Sequence, residues 1–157
     1  VWISQCGDIA KNYTVILNSS YEKTANESVT LQCLICDAEE VKWRHNHKNI
    51  QTDSDRFSGG NIIVPSLTVT KLNRDDTGKY QCESLYGSVS SVSSEIILKI
   101  RDKPIVKPFE KNIQTSVGED VMIPCSFDSY PTPTRIFWTK DDNIINVPDN
   151  TKYNGSN

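Results

Sequence analysis

An all-β fold, a sandwich of two packed sheets, is predicted for this 157-residue chain by three observations. Short runs alternate polar and apolar side chains, turn-forming residues separate the runs, and no stretch has a convincing helical period. Alternation at a period of two puts every second side chain on one face of a strand, the pattern of a half-buried strand. Several strands with one apolar face each can bury those faces by stacking two sheets.

The first clear run covers residues 28–33, where Val29, Leu31 and Cys33 share a face. Residues 40–44 alternate in the same way with Val41 and Trp43 inward, and residues 67–70 do so ahead of Leu72. Residues 79–83 and 95–100 supply two more strands, joined by a short loop around Tyr86, Gly87 and Ser88.

The run that ends at Cys82, Asp76-Thr77-Gly78-Lys79-Tyr80-Gln81-Cys82, adds a more specific signal, with Trp43 ten positions after Cys33. Together these residues resemble the signature of an immunoglobulin domain, a Greek-key sandwich. The resemblance implies a Cys33–Cys82 bridge between the sheets, Trp43 packed on it, and a corner hydrogen bond from Tyr80. The 49-residue separation of these cysteines leaves hardly any room for the extra strands of an antibody variable domain, which makes the domain I-set-like. Arg56 and Asp76 resemble the ion pair that closes the bottom of many such sandwiches; two solvated charges are the alternative reading.

A second set of the same features follows. Residues 116–125 resemble the start of another immunoglobulin domain, with Val121, Ile123, Cys125 and Phe127 expected inward. Trp138 takes the place of the inner tryptophan after a loop with Pro131 and Pro133, and Asp141, Asp142 and Asn143 read as a turn. The expected division is an immunoglobulin-like domain over residues 1–102 and the amino-terminal part of a second, incomplete one over residues 103–157. On this reading Cys125 lacks its partner.

Two further cysteines remain. Side chains alternate along a strand, so Cys36, three positions from Cys33, faces away from it and should not bridge to it. Cys6 is then the expected partner of Cys36. The alternative makes Val1 to Leu17 the tail of a preceding domain, which leaves Cys6 and Cys36 unpaired. The Cys33-Leu34-Ile35-Cys36 spacing also fits redox and zinc motifs. A redox thiol, however, uses a helix N-terminus, and a zinc site needs a second ligand pair. His45 and His47 read as surface residues of a polar turn rather than as metal ligands, and no catalytic or phosphate-binding motif occurs. No enzyme activity and no cofactor are expected.

A net charge of −3 argues against a nucleic-acid partner, which would call for a concentrated basic surface. No apolar run approaches the roughly 20 residues that span a bilayer. The chain starts without Met or a signal-like segment and reads as a processed product or a fragment, with any membrane anchor outside it. Four Asn-x-Ser/Thr sequons, at Asn12, Asn18, Asn26 and Asn154, join the bridge-type cysteines in favouring a secretory route and glycosylation.

What the resemblance implies for function is an extracellular protein-recognition module of a cell-adhesion molecule or cell-surface receptor, with a protein partner that could be a second copy. A secreted defence protein that binds a microbial or glycan ligand is the alternative, and a spacer role is a third. Sequons near strands at residues 12–26 direct attention to the other sheet. There Lys42, Arg44, Lys79, Gln81 and Glu83 are expected outward, with Leu85 and Tyr86 at the loop tip, as the partner-binding face.

Overall fold

The computed structural model describes residues 13–52, 54–108 and 112–145. The strands among them are β1 (Tyr13–Ile16), β2 (Ser20–Thr24), β3 (Val29–Leu31), β4 (Cys33–Cys36), β5 (Glu40–His45), β6 (Lys48–Asn49) and β7 (Phe57–Gly59). They continue with β8 (Leu67–Val69), β9 (Gly78–Tyr86), β10 (Val89–Val92), β11 (Ile96–Pro108), β12 (Cys125–Tyr130), β13 (Trp138–Lys140) and β14 (Asn143–Ile145). The chain divides into two units, Val1–Asp102 and Lys103–Asn157.

The first unit is the two-sheet sandwich that the alternation predicts. One layer holds the antiparallel order β3-β8-β7, with β4 following β3 and pairing with β1. The other holds β11-β9-β5-β6, with β10 beside β9 and β2 parallel to β11. Val29, Leu31, Cys33, Val41, Trp43, Leu67, Val69, Leu72, Tyr80, Cys82, Ile96, Leu98 and Ile100 form one buried cluster between the layers. Cys33 is bonded to Cys82, and Trp43 beside them is fully buried with its indole N–H donating to the Pro65 carbonyl at 2.9 Å.

Several boundaries differ from the sequence reading, each for a local reason. The strand at residues 28–33 is two segments that continue to Cys36, because β3 pairs with β8 whereas β4 pairs with β1. The strand expected at 95–100 is preceded by β10, which pairs with β9. Between them one extra residue shifts the register, since Val92 opposes Glu83 but Ile96 opposes Tyr80. Such a bulge interrupts the ladder, and Ser93 repairs it: its N–H donates to the Cys82 carbonyl and its hydroxyl accepts from the Cys82 N–H. β11 then runs through residues 101–104, where the sequence suggests a linker, to Pro108. Room also exists for a two-residue β6 on β5.

Below the core, the Arg56 guanidinium meets the Asp76 carboxylate at 2.5 Å. That carboxylate is buried, and it also accepts from the Asn73 N–H at 2.7 Å while the Asp76 carbonyl accepts from the Tyr80 hydroxyl at 2.9 Å. A short 3-10 turn at Arg74–Asp76, capped by Asn73, sets this geometry. Burial pushes the Tyr80 hydroxyl well above its usual range; the Asp76 charge pushes it further and the Arg56 charge pulls it back.

In the second unit β12 pairs with β11, and the Ser126 hydroxyl donates to the Lys107 carbonyl. β13 and β14 form a hairpin whose turn residues Asp141 and Asp142 both have positive φ. Val121, Ile123, Cys125 and Phe127, expected inward, are all exposed, and the strand begins only at Cys125. In the first unit the corresponding apolar positions are buried because strands of a facing sheet cover them. Among the described residues of the second unit no such facing strand covers Val121 or Ile123.

Two stability effects follow. Closing a 49-residue loop stabilises by about 4 kcal/mol in the chain-entropy model. Cys82→Ser should therefore remove most of the first unit's stability, seen as a large drop in its urea midpoint. Tyr80 gives a pH effect with a definite sign. Its folded form keeps the proton to higher pH than the unfolded chain, which ionises near pH 10, so its contribution is complete below about pH 10 and is lost as pH rises above it. Urea titrations from pH 7 to 11 should show a steeper alkaline loss in the wild type than in Tyr80→Phe. The variant should also be less stable by about 1 kcal/mol at pH 7, where it lacks the hydrogen bond to Asp76.

Candidate functional site

The bond at Cys82 fixes the parity of β9. Tyr80, Cys82 and Ser84 point into the sandwich and are buried, so Lys79, Gln81, Glu83 and Leu85 lie on the outer face. Register extends that face across the sheet: Glu40 opposes Leu85, Lys42 opposes Glu83 and Arg44 opposes Gln81 on β5. On the other side Ser90 opposes Leu85, Val92 opposes Glu83 and Ile97 opposes Lys79.

This face is covered by paired charges. Arg44 Nη2 donates to Glu83 Oε2 at 2.6 Å, and the Ser90 hydroxyl donates to Glu83 Oε1 at 2.5 Å. Lys42 lies 3.1 Å from Glu40, Lys79 lies 2.8 Å from Glu95, and Arg101 pairs with Glu22. The Gln81 amide donates to the Ser93 carbonyl at 3.2 Å. Leu85, half-buried, and the exposed Val92 and Ile97 are the apolar members of the face.

Three of the residues expected on this face are placed more specifically by the structure. Glu83 is outward but only 7% exposed, because Arg44 and Ser90 close over it from the two neighbouring strands. Arg44 is accordingly half-buried and tied to a buried carboxylate, so its side chain is part of the structure and not a free surface charge. Tyr86 is 41% exposed, but it shares the parity of Ser84 and Cys82 and so belongs to the rim at the end of the sheet, not to the charged face.

The sequons are also placed differently. β1 joins the β4 layer, but β2 pairs with β11 on the sheet of the candidate face. Asn18 and Asn26, both exposed, therefore sit just before and just after an edge strand of this same sheet. Asn12, Asn154 and Cys6 lie outside the described residues. Cys36 is disulfide-bonded, and Cys125 is free and exposed.

Sequence reasoning missed two features. Glu40, Glu95, Glu22 and Ser90 complete the charged face, but their pairing depends on register, which no single strand reveals. His45 is not a loose surface histidine: its ring stacks on Tyr80 with centroids 4.4 Å apart, a contact that follows from the His45–Tyr80 cross-strand pair. Among the described residues no cluster of three His, Cys, Asp or Glu side chains could hold a metal, and no helix is long and apolar enough to cross a membrane.

Residues 12–84 match the family of immunoglobulin domains. Lachesin of Drosophila melanogaster is 31% identical over 97 residues, covering 61% of this chain and 27% of lachesin. Lachesin of Schistocerca americana is 24% identical over 153 residues, covering 85% of this chain and 44% of its own length. Vascular endothelial growth factor receptor 2 of Coturnix japonica is 26% identical over 148 residues, 86% of this chain and 11% of the receptor. The chain thus spans less than half the length of each of these relatives.

The Arg44–Glu83 pair predicts a cost for charge reversal. Arg44→Glu sets a second carboxylate against a buried one and should destabilise the first unit by about 2 kcal/mol, between the values for exposed and buried pairs. That corresponds to a Tm lower by about 10 °C for a domain of this size, measurable by thermal melting. A change under 2 °C would show that the pair is not held in solution.

Proposed function

The chain belongs to the immunoglobulin superfamily, and on that premise we propose that it is an extracellular protein-recognition segment of cell-adhesion or receptor type. The partner is a protein at the cell surface or in the extracellular space, and the outer face of β5, β9 and β11 binds it. The observation that carries this reading is the face itself. Lys42, Lys79, Gln81 and Leu85 lie on it above a bridge that fixes their direction, with charges of both signs interleaved. Interleaved charges suit selection among partners, since a wrong match sets like charges together.

Relatives with receptor names support the same reading. The repeated Cys and Trp pattern supports a second immunoglobulin-like domain beginning at Lys103. Glycosylation at Asn12, Asn18, Asn26 and Asn154 and a bridge from Cys36 to Cys6 belong to the same extracellular proposal. With Asn18 and Asn26 beside β2, glycans would stand at that edge and leave the β5 side of the face the more open.

The test is binding of the tagged, multivalent chain to cells that display a native partner. Lys42→Glu and Leu85→Asp should each weaken binding at least tenfold, about 1.4 kcal/mol, with Tm changed by less than the Arg44→Glu variant changes it. Asn26→Gln should bind like the wild type. Unchanged binding by both face variants would overturn the assignment of this face.

A further inference from the structure

The first unit has four arginines, Arg44, Arg56, Arg74 and Arg101. Arg56 Nη2 reaches both the Asp76 carboxylate and the Lys71 carbonyl, and Arg101 directs Nε and Nη2 at Glu22. Arg44 differs. A guanidinium carries five N–H donors, and among the described residues Arg44 uses its own for a single bond, from Nη2 to Glu83 Oε2 at 2.6 Å.

The acceptors around it are already engaged. Glu83 accepts from Arg44 at one oxygen and from the Ser90 hydroxyl at the other, and its side chain is only 10% exposed. Gln81, opposite Arg44 on β9, turns its amide N–H to the Ser93 carbonyl. Glu40 pairs with Lys42, and Glu95 with Lys79. The Arg44 side chain itself remains 35% exposed. At this point the face offers a set of N–H donors that are held in place and short of acceptors.

A planar fork of donors fits a carboxylate through two parallel bonds, and a carboxylate is the planar anion that a protein surface carries on Asp, on Glu and at its carboxyl terminus. A cationic side chain of a partner meets the opposite situation. It finds Glu83 already bonded through both oxygens, and it faces Arg44 and Lys42, two positions apart on one face of β5. Because Glu83 offsets the guanidinium charge, a second carboxylate gains little long-range attraction. Its gain is directional, from donors whose orientation is set before binding, so that little ordering entropy is lost.

We propose that Arg44 is the specificity-determining residue of the β5–β9 face and receives a carboxylate of the partner protein in a two-bond contact. This rests on the reading of that face as the binding surface. Glu83 is then a positioning residue that acts through Arg44.

Acetate is the probe for the site itself. In NMR spectra of the arginine guanidinium groups of the full chain, replacing chloride by acetate at constant ionic strength and neutral pH should shift the Arg44 signals at least about threefold more than those of Arg101, whose Nε is already bonded. Sulfate exchanged in the same way should shift Arg44 less than acetate does. An Arg44 shift no larger than that of Arg101, or a larger response to sulfate, would overturn the proposal. Cells that display a native partner supply the second arm. Arg44→Lys keeps a cation beside Glu83 but removes the fork, and it should weaken binding at least about threefold with Tm within about 2 °C of the wild type. If that variant does not fold, the acetate and sulfate responses decide alone. Wild-type binding by Arg44→Lys, with binding lost in Leu85→Asp, would overturn this inference and leave the face assignment standing. Wild-type binding by Arg44→Lys, Lys42→Glu and Leu85→Asp alike would overturn both.

Discussion

The bond between Cys33 and Cys82 sets the parity of every strand around it, and the rest of the first unit depends on that parity. A one-residue slip in a strand exchanges its two faces. With Cys82 held inward, Tyr80 and Ser84 must be inward and Lys79, Gln81, Glu83 and Leu85 outward. Pairing with β5 then carries the same choice to Trp43 and Arg44. The one-residue shift between β10 and β11 restores it on the far side, where Ile96, Leu98 and Ile100 would otherwise turn to water. Core and candidate binding face are two sides of one constraint.

Two buried carboxylates, each met by an arginine, mark the two places where that sheet is closed. Asp76 is surrounded by Arg56, the Asn73 N–H and the capped turn, so its charge is satisfied from several directions, as a buried charge must be. Its partners all lie in loops below the core, and the Tyr80 hydroxyl hangs from its carbonyl. Glu83 is held instead by side chains of adjacent strands, Arg44 and Ser90. The first pair closes the end of the sandwich. The second lies on the outer surface of the sheet, where it holds the Arg44 side chain in one orientation.

The sequence showed the fold wherever one residue type had one physical reason to be where it is. The alternation of Val29, Leu31 and Cys33, the spacing of Trp43, and the Tyr80-x-Cys82 pair all describe single strands, and single strands are legible. What was hidden depends on two strands together. Glu83 looked like any outward glutamate until register put Arg44 and Ser90 beside it. Tyr86 was legible and not hidden, since counting from Cys82 along the same strand already gives it the inward parity. β2 looked like part of the opposite layer, because nothing in residues 12–24 says that the chain changes sheets between β1 and β2. Val121 and Ile123 show the converse: alternation marks side chains suited to burial, but burial also needs a facing sheet.

If the proposed face is the binding surface, charges that already pair with one another constrain how it would bind. Replacing Lys42–Glu40 or Lys79–Glu95 by a contact to a partner exchanges one exposed ion pair for another, and exposed pairs are worth little. Net affinity must then come mainly from apolar area, which on this face means Leu85, Val92 and Ile97. The charges act on which partner is accepted and on the rate of encounter, both of which weaken with salt. Arg44 is the exception, since Glu83 keeps it in place and its remaining donors can reach outward without a cost in order. On the proposed reading, affinity at this surface resides mainly in its aliphatic residues, and the ladder of pairs around them acts by penalising a mismatched charge, whether on the partner or introduced on the face.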